Sequence, residues 1–156
     1  MSWFICAISG KSPQNWDMCK EIGLYGISSY NAKIRHEVNV GDDLIFWLTK
    51  KGFLGSATVT GQPRAPKGPA EVPWAGGIYR FSIVLPFSLD FECKEPVFIP
   101  FEKGRQKETG ISAFSLQRGF ALITDKAGEI ATKAMKDPKS YPKKIRRVKS
   151  SQDEGR

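Results

Sequence analysis

The chain has 156 residues and a formal net charge of +8, from 24 Lys and Arg against 16 Asp and Glu. That length predicts one domain with roughly 70% of its surface buried on folding. No apolar run approaches the roughly 20 residues of a membrane span, and no basic segment precedes the apolar stretch at residues 3–8, so neither a membrane helix nor a secretory signal is expected. Cys6, Cys19 and Cys93 are an odd, widely spaced set with no Cys-x-x-Cys pair, which excludes a disulfide framework and argues against zinc. A cytoplasmic domain without metal or cofactor, facing an anionic partner and no membrane, is the expectation.

In chain order, residues 3–8 (Trp-Phe-Ile-Cys-Ala-Ile) are apolar at every position and predict a buried central strand. Ser12 and Pro13 then offer an N-cap and a first helical position. Trp16, Cys19 and Ile22 follow at helical spacing, and Gly23 ends the helix. A second short helix is expected over Tyr30–His36. A turn at Val38–Asp42 launches a strand at Leu44–Thr49, and a hairpin at Lys50–Gly52 leads into Phe53–Thr60. The stretch from Gly61 to Pro73 contains Pro63, Pro66, Gly68, Pro69 and Pro73 and reads as a long loop, a kind often functional.

Ile78–Phe87 predicts a strand with Tyr79, Phe81, Ile83 and Leu85 on one face. Another strand is expected in Phe91–Phe101, a helical turn at Ser112–Gln117 and a closing strand at Phe120–Thr124. Asp125 caps a last helix through Met135, with Ala127, Ile130, Ala131 and Ala134 on one face. Several adjacent strands with interspersed helices predict an α+β domain around a curved or barrel-like sheet, over residues 1–136. Residues 133–156 carry nine cations against three acids, so most of the basic excess is terminal. Residues 137–156 are too poor in apolar side chains to order themselves and read as a basic, disordered tail suited to nucleic-acid phosphates.

Catalytic devices find little support. His36, the single His, lies among Lys33, Arg35 and Glu37 and reads as solvated. No nucleophile elbow or Walker loop is present. Aromatic side chains say more. Trp74 closes the Pro- and Gly-rich loop beside Ala75-Gly76-Gly77, and Tyr25 precedes Gly26 after the first helix. Rings beside glycines are placed to stack on a planar ligand; Trp74 reads equally as a cap on the core. Trp3 and Trp47 read as core. Gly55 inside a strand marks either a close approach, with Lys50-Lys51 near a phosphate-rich ligand, or a bulge.

The segments Gly26-Ile27-Ser28-Ser29-Tyr30-Asn31-Ala32 and Val40-Gly41-Asp42-Asp43-Leu44-Ile45-Phe46-Trp47, then Gly55, Trp74, Tyr79-Arg80-Phe81, and Phe114 followed by Arg118-Gly119-Phe120-Ala121-Leu122-Ile123, together resemble EVE domains over about residues 2–135. EVE domains belong to the PUA-like superfamily with YTH and ASCH domains. The resemblance implies a strongly curved β-barrel flanked by short helices, with a pocket for a modified nucleobase. YTH relatives bind N6-methyladenine in RNA through an aromatic cage; EVE relatives are associated with modified cytosine in DNA, often beside restriction nucleases.

It further implies that Tyr25 and Trp74 are the cage rings, that Asn15 bonds the base edge, and that Gly26, Ile27 and Ser28 line the pocket. Lys50, Lys51, Arg64, Lys67, Arg105 and Lys107 are the expected backbone-contacting cations. Many EVE domains have Trp followed by Gly-Val-Arg-Asn, where this chain has Tyr25 and the pair Ser28-Ser29. The Gly-x-Lys-x-x-Glu pattern of ASCH amidohydrolases is missing, and Asp17 and Glu21 are the nearest acids such an enzyme could use. The expectation is non-catalytic binding of a modified base, DNA favoured and RNA the alternative; a basic RNA-binding accessory blind to modification is a further class.

Overall fold

The computed structural model describes residues 1–98, 111 and 118–138. One strongly curled sheet has the strand order β2-β5-β4-β3-β1-β6. The strands are β1 (Trp3–Ile8), β2 (Leu24–Ile27), β3 (Asp43–Leu48), β4 (Gly52–Val59), β5 (Ile83–Val97) and β6 (Phe120–Ile123). The helices are α1 (Gln14–Ile22), α2 (Gly77–Arg80) and α3 (Asp125–Lys136), with 3-10 segments at Ser29–Glu37 and Pro69–Glu71. This is the expected α+β architecture. The expected helical turn at Ser112–Gln117, the end of the strand through Phe101, and the tail beyond Pro138 lie outside the described residues.

β1 and β3 run parallel, from Trp3 opposite Asp43 to Ile8 opposite Leu48, and every other strand pair is antiparallel. Parallel neighbours require a crossover. Here it is residues 9–42, which carry α1, β2 and the first 3-10 segment. The apolar runs of β1 and β3 have a direct cause: both faces of the sheet are covered. Phe4, Cys6, Ile8, Leu44, Phe46 and Leu48 join one core with Trp16 and Cys19 of α1. Ile5, Ile45 and Trp47 face the other way, under Ala127, Ala131, Ala134 and Met135 of α3.

Small residues let α3 approach closely, and a Cβ at Gly128 would collide with the Trp3 ring. The α3 cap is Thr124, whose hydroxyl accepts from the Ala127 N–H at 3.1 Å, one residue before the expected Asp125. Ile130 is only half-buried. α1 ends as expected, at a left-handed Gly23. It starts after Pro13, and Ser12 contributes its carbonyl to the Asn15 N–H rather than a side-chain cap.

Ile78–Phe87 is the largest departure. Gly76 and Gly77 take φ of 95° and 50° and launch the single turn of α2. The strand begins only at Ile83 and runs unbroken to Val97, absorbing the separate strand expected from Phe91. Ile83–Pro86 pair with β2, while Phe87–Val97 pair with β4. One strand thereby serves two neighbours. Irregularities at Phe53/Gly55 and Ser56/Ala57 help it curl. Gly55 therefore belongs to a bulge packed against the β5 backbone at Phe91.

Candidate functional site

An open cleft of about 440 Å³ lies where the end of β1 (Ala7, Ile8) meets the start of β6 (Gly119, Phe120). α1 contributes Asn15 and Cys19 to one wall, and the β2–3-10 junction contributes Ser28 and Asn31. Trp74 and Phe81 close another side. Of the six expected base-binding residues, Asn15, Tyr25, Gly26, Ser28 and Trp74 line this cleft. Ile27 does not: it is fully buried in the core and pairs with Ile83.

Tyr25 and Trp74 reach the cleft as floor and wall. Tyr25 is 6% exposed, with its ring between Phe46 and Phe120 at 5.8 and 5.9 Å. Its hydroxyl lies 2.9 Å from both the Ala7 and Gly119 carbonyls and donates into that pair. Burial, foremost, pushes the phenol's pKa well above its ordinary value. Tyr25 thus ties β1, β2 and the β6 approach together and keeps little ring face for a ligand. Trp74 is 5% exposed and stands edge-on to Phe81 at 5.3 Å. Its ring packs directly on Gly26, where an added Cβ would come within 2.7 Å of Cζ3. The glycine is there for that close approach.

Several polar groups in and beside the cleft hold its walls in place. The Ser28 hydroxyl accepts from the Tyr30 N–H at 3.2 Å, capping the 3-10 segment. Asn31 Nδ2 donates to the Arg118 carbonyl, linking that segment to the approach to β6. Ser29 Oγ donates to the Arg80 carbonyl at 3.1 Å, joining it to α2. Asn15 is half-buried at the cleft.

Electrostatically the lining is one-signed. It holds Arg80 and Arg118 and, among the described residues, no carboxylate or imidazole. Asp17 and Glu21, the acids an enzymatic reading requires, are exposed on α1 outside the lining, and Asp17 pairs with Lys20 at 3.4 Å. Burial pushes the Cys19 thiol up to about 12, partly offset by a hydrogen bond with Trp74, so it offers no thiolate near neutrality.

The expected backbone cations are distributed as follows among the described residues. Arg64 is bidentate on Glu71, at 2.8 and 3.0 Å, and pins the long loop instead of standing open to phosphate. Lys67 is exposed, and its N–H donates to Glu71 at 2.7 Å. Lys50 and Lys51 occupy the β3–β4 turn, outside the cleft lining. Arg105 and Lys107 lie outside the described residues. Sequence reasoning missed Arg80 and Arg118 as cleft residues, although both sit inside the segments Tyr79-Arg80-Phe81 and Arg118-Gly119-Phe120 that carried the resemblance. It missed Tyr30 and Asn31 in the same way.

No protein family and no curated protein matches the sequence. Solved structures do match the fold. A hypothetical protein from Leishmania major aligns with a TM-score of 0.62 at 12% identity, covering 89% of this chain and 97% of that one. The Toxoplasma CPSF4-YTH domain in apo form aligns at 0.59 and 16% identity, covering 92% and 90%. The Mmi1 YTH domain in complex with RNA aligns at 0.61 and 12% identity, covering 91% and 83%. At such identities the likeness concerns architecture, which this chain shares with YTH domains.

Proposed function

We propose that the protein is a non-catalytic reader of a modified nucleobase, presented unstacked on a nucleic-acid strand. The observation that carries this reading is the cleft: about 440 Å³, walled by Trp74 and Phe81, bordered by two arginines and lacking a carboxylate among its described lining residues. That volume falls in the small-ligand range of roughly 300–1,000 Å³. A base inside a duplex could not enter, so the strand is single or the base is flipped out, at a cost of a few kcal/mol. Trp74 supplies the apolar wall, Asn15 the directional bonds to the base edge, and Tyr25 the fixed floor. The fold neighbour with RNA supports a nucleic-acid partner. The EVE likeness of the sequence supports modified cytosine in DNA, while that RNA-bound neighbour favours RNA as the second reading.

The test is a titration of the full chain with single-stranded DNA and RNA oligonucleotides. Each carries 5-methylcytosine, 5-hydroxymethylcytosine, N6-methyladenine or the plain base at one position. One modified oligonucleotide should bind about 10- to 200-fold tighter than its plain counterpart, the range a fitted apolar slot gives one added carbon. Asn15→Ala should abolish that ratio while the fold persists; Trp74→Ala should abolish it with some loss of stability. Equal binding of all modified and plain strands would leave only a basic accessory without base selectivity.

A further inference from the structure

Six large apolar side chains are exposed among the described residues; of these, Tyr30 lines the cleft, and Ile78 and Tyr79 lie in α2 beside the cleft residue Arg80. The Ser29–Arg80 hydrogen bond at 3.1 Å, with the Tyr79 carbonyl 3.4 Å from the same hydroxyl, holds their two segments side by side. Tyr30 and Tyr79 are each 97% exposed. Scattered exposed rings are ordinary, but rings grouped beside a cleft mark a contact surface. Arg80, next to Tyr79 in α2, lies over the Phe81 ring at 5.2 Å and lines the cleft. Flat apolar faces alternating with a cation are what single-stranded nucleic acid stacks on and tracks. A second copy of this chain is the poorer occupant, because it too carries +8.

We propose that Tyr30 and Tyr79 form a stacking rim for the nucleotides on either side of the bound base, with Arg80 on an intervening phosphate, so that the partner is a single strand of at least three nucleotides. This rests on the base-binding reading above and adds that the neighbours of the base, not the base alone, set the affinity.

The experiment uses fluorescence anisotropy on the full chain. Its probes are single-stranded 9-mers with a central 5-methylcytosine or N6-methyladenine, the same 9-mers annealed to a complement, and the matching mononucleotides as competitors. Tyr79→Ala should weaken the single-stranded 9-mer about 5- to 20-fold and leave the mononucleotide unchanged, since Tyr79 lies outside the cleft. Tyr30→Ala should weaken the 9-mer similarly, and Trp at either position should restore it. Both rings are exposed, so the variants should keep the wild-type circular dichroism. If the variants bind the 9-mer like wild type while the mononucleotide still competes, the rim is overturned and the base-binding reading stands. Duplex binding as tight as single-strand binding overturns it too. A wild-type dimer that the variants dissociate, with oligonucleotide affinity unchanged, makes the patch a self-contact and ends the proposal. Should neither 9-mer nor mononucleotide bind, the base-binding reading fails and the rim falls with it.

Discussion

At the scale of single residues, Gly26 decides where Trp74 stands. Its backbone is extended, so the glycine is not needed for a left-handed turn; it is needed because the indole occupies the space a Cβ would take. In Gly26→Ala the new carbon lies 2.7 Å from Trp74 Cζ3 and 2.9 Å from Phe81 Cδ1. Removing a strand glycine returns about 0.5–1 kcal/mol of backbone entropy. Overpacking costs about 1–3 kcal/mol. The second effect should win, lowering Tm by a few degrees and shifting tryptophan emission as the indole is pushed toward the cleft. An unchanged Tm and spectrum would mean the wall yields freely. Trp74 and Tyr25 were both legible in the sequence as rings beside glycines. The hydroxyl partners of Tyr25 were not, because Gly119 lies 94 residues further along the chain and only the curl of the sheet brings it near.

Among the elements, the loop between β4 and α2 is tied down at Glu71. Glu71 accepts from both guanidinium nitrogens of Arg64 and from the Lys67 N–H, and these, Arg64 first, hold its carboxyl at about 2, below the ordinary 4.5. Arg64 is itself bridged to Val84 of β5 through its own N–H and carbonyl, at 3.1 and 2.7 Å. A depressed carboxyl stabilises the fold above its unfolded value, and that contribution is lost as pH falls from there through the folded value. The anchoring of residues 61–73 should therefore weaken between about pH 5 and pH 2. Proteolytic nicking of this loop by pepsin across that range, compared with Glu71→Gln, checks it. The variant should be nicked readily at every pH, and the wild type progressively more as pH falls. Parallel curves would remove Glu71 from the role.

Strands and helices differ in how far their patterns can be read. β1 and β3 were legible because covered faces leave runs of large apolar residues, and β4 because a hairpin turn at Lys50–Gly52 leads into it. α3 was legible from small apolar residues at helical spacing. α2 was not: Tyr79, Phe81, Ile83 and Leu85 alternate like a strand, but two glycines with positive φ turn the first part into a helix and leave Tyr79 in water. Periodicity reports which residues a chain could bury together. Here the backbone freedom of Gly76-Gly77 overrides it, and that departure builds the cleft's rim.

For the molecule as a whole, charge and recognition are separable. Beyond Pro138 the sequence holds seven Lys or Arg against two acids, whereas the cleft contributes two arginines at a defined place. Polyanion affinity follows the number of phosphates neutralised, with log K falling by about 0.7 per phosphate per decade of salt for single strands. On the proposed reading, base identity would come from contacts inside the cleft, which salt screens little. Ending the chain at Pro138 should therefore weaken plain and modified oligonucleotides by the same factor and flatten the salt slope by several phosphates' worth, leaving the modified-to-plain ratio intact. Arg80→Ala should reduce the slope by only about 0.7, because one phosphate contact is removed. Titrations at 50, 100 and 200 mM salt distinguish the two. A ratio that collapsed on truncation would place part of base recognition in the terminal residues, and a slope untouched by truncation would mean that those cations contact no phosphate.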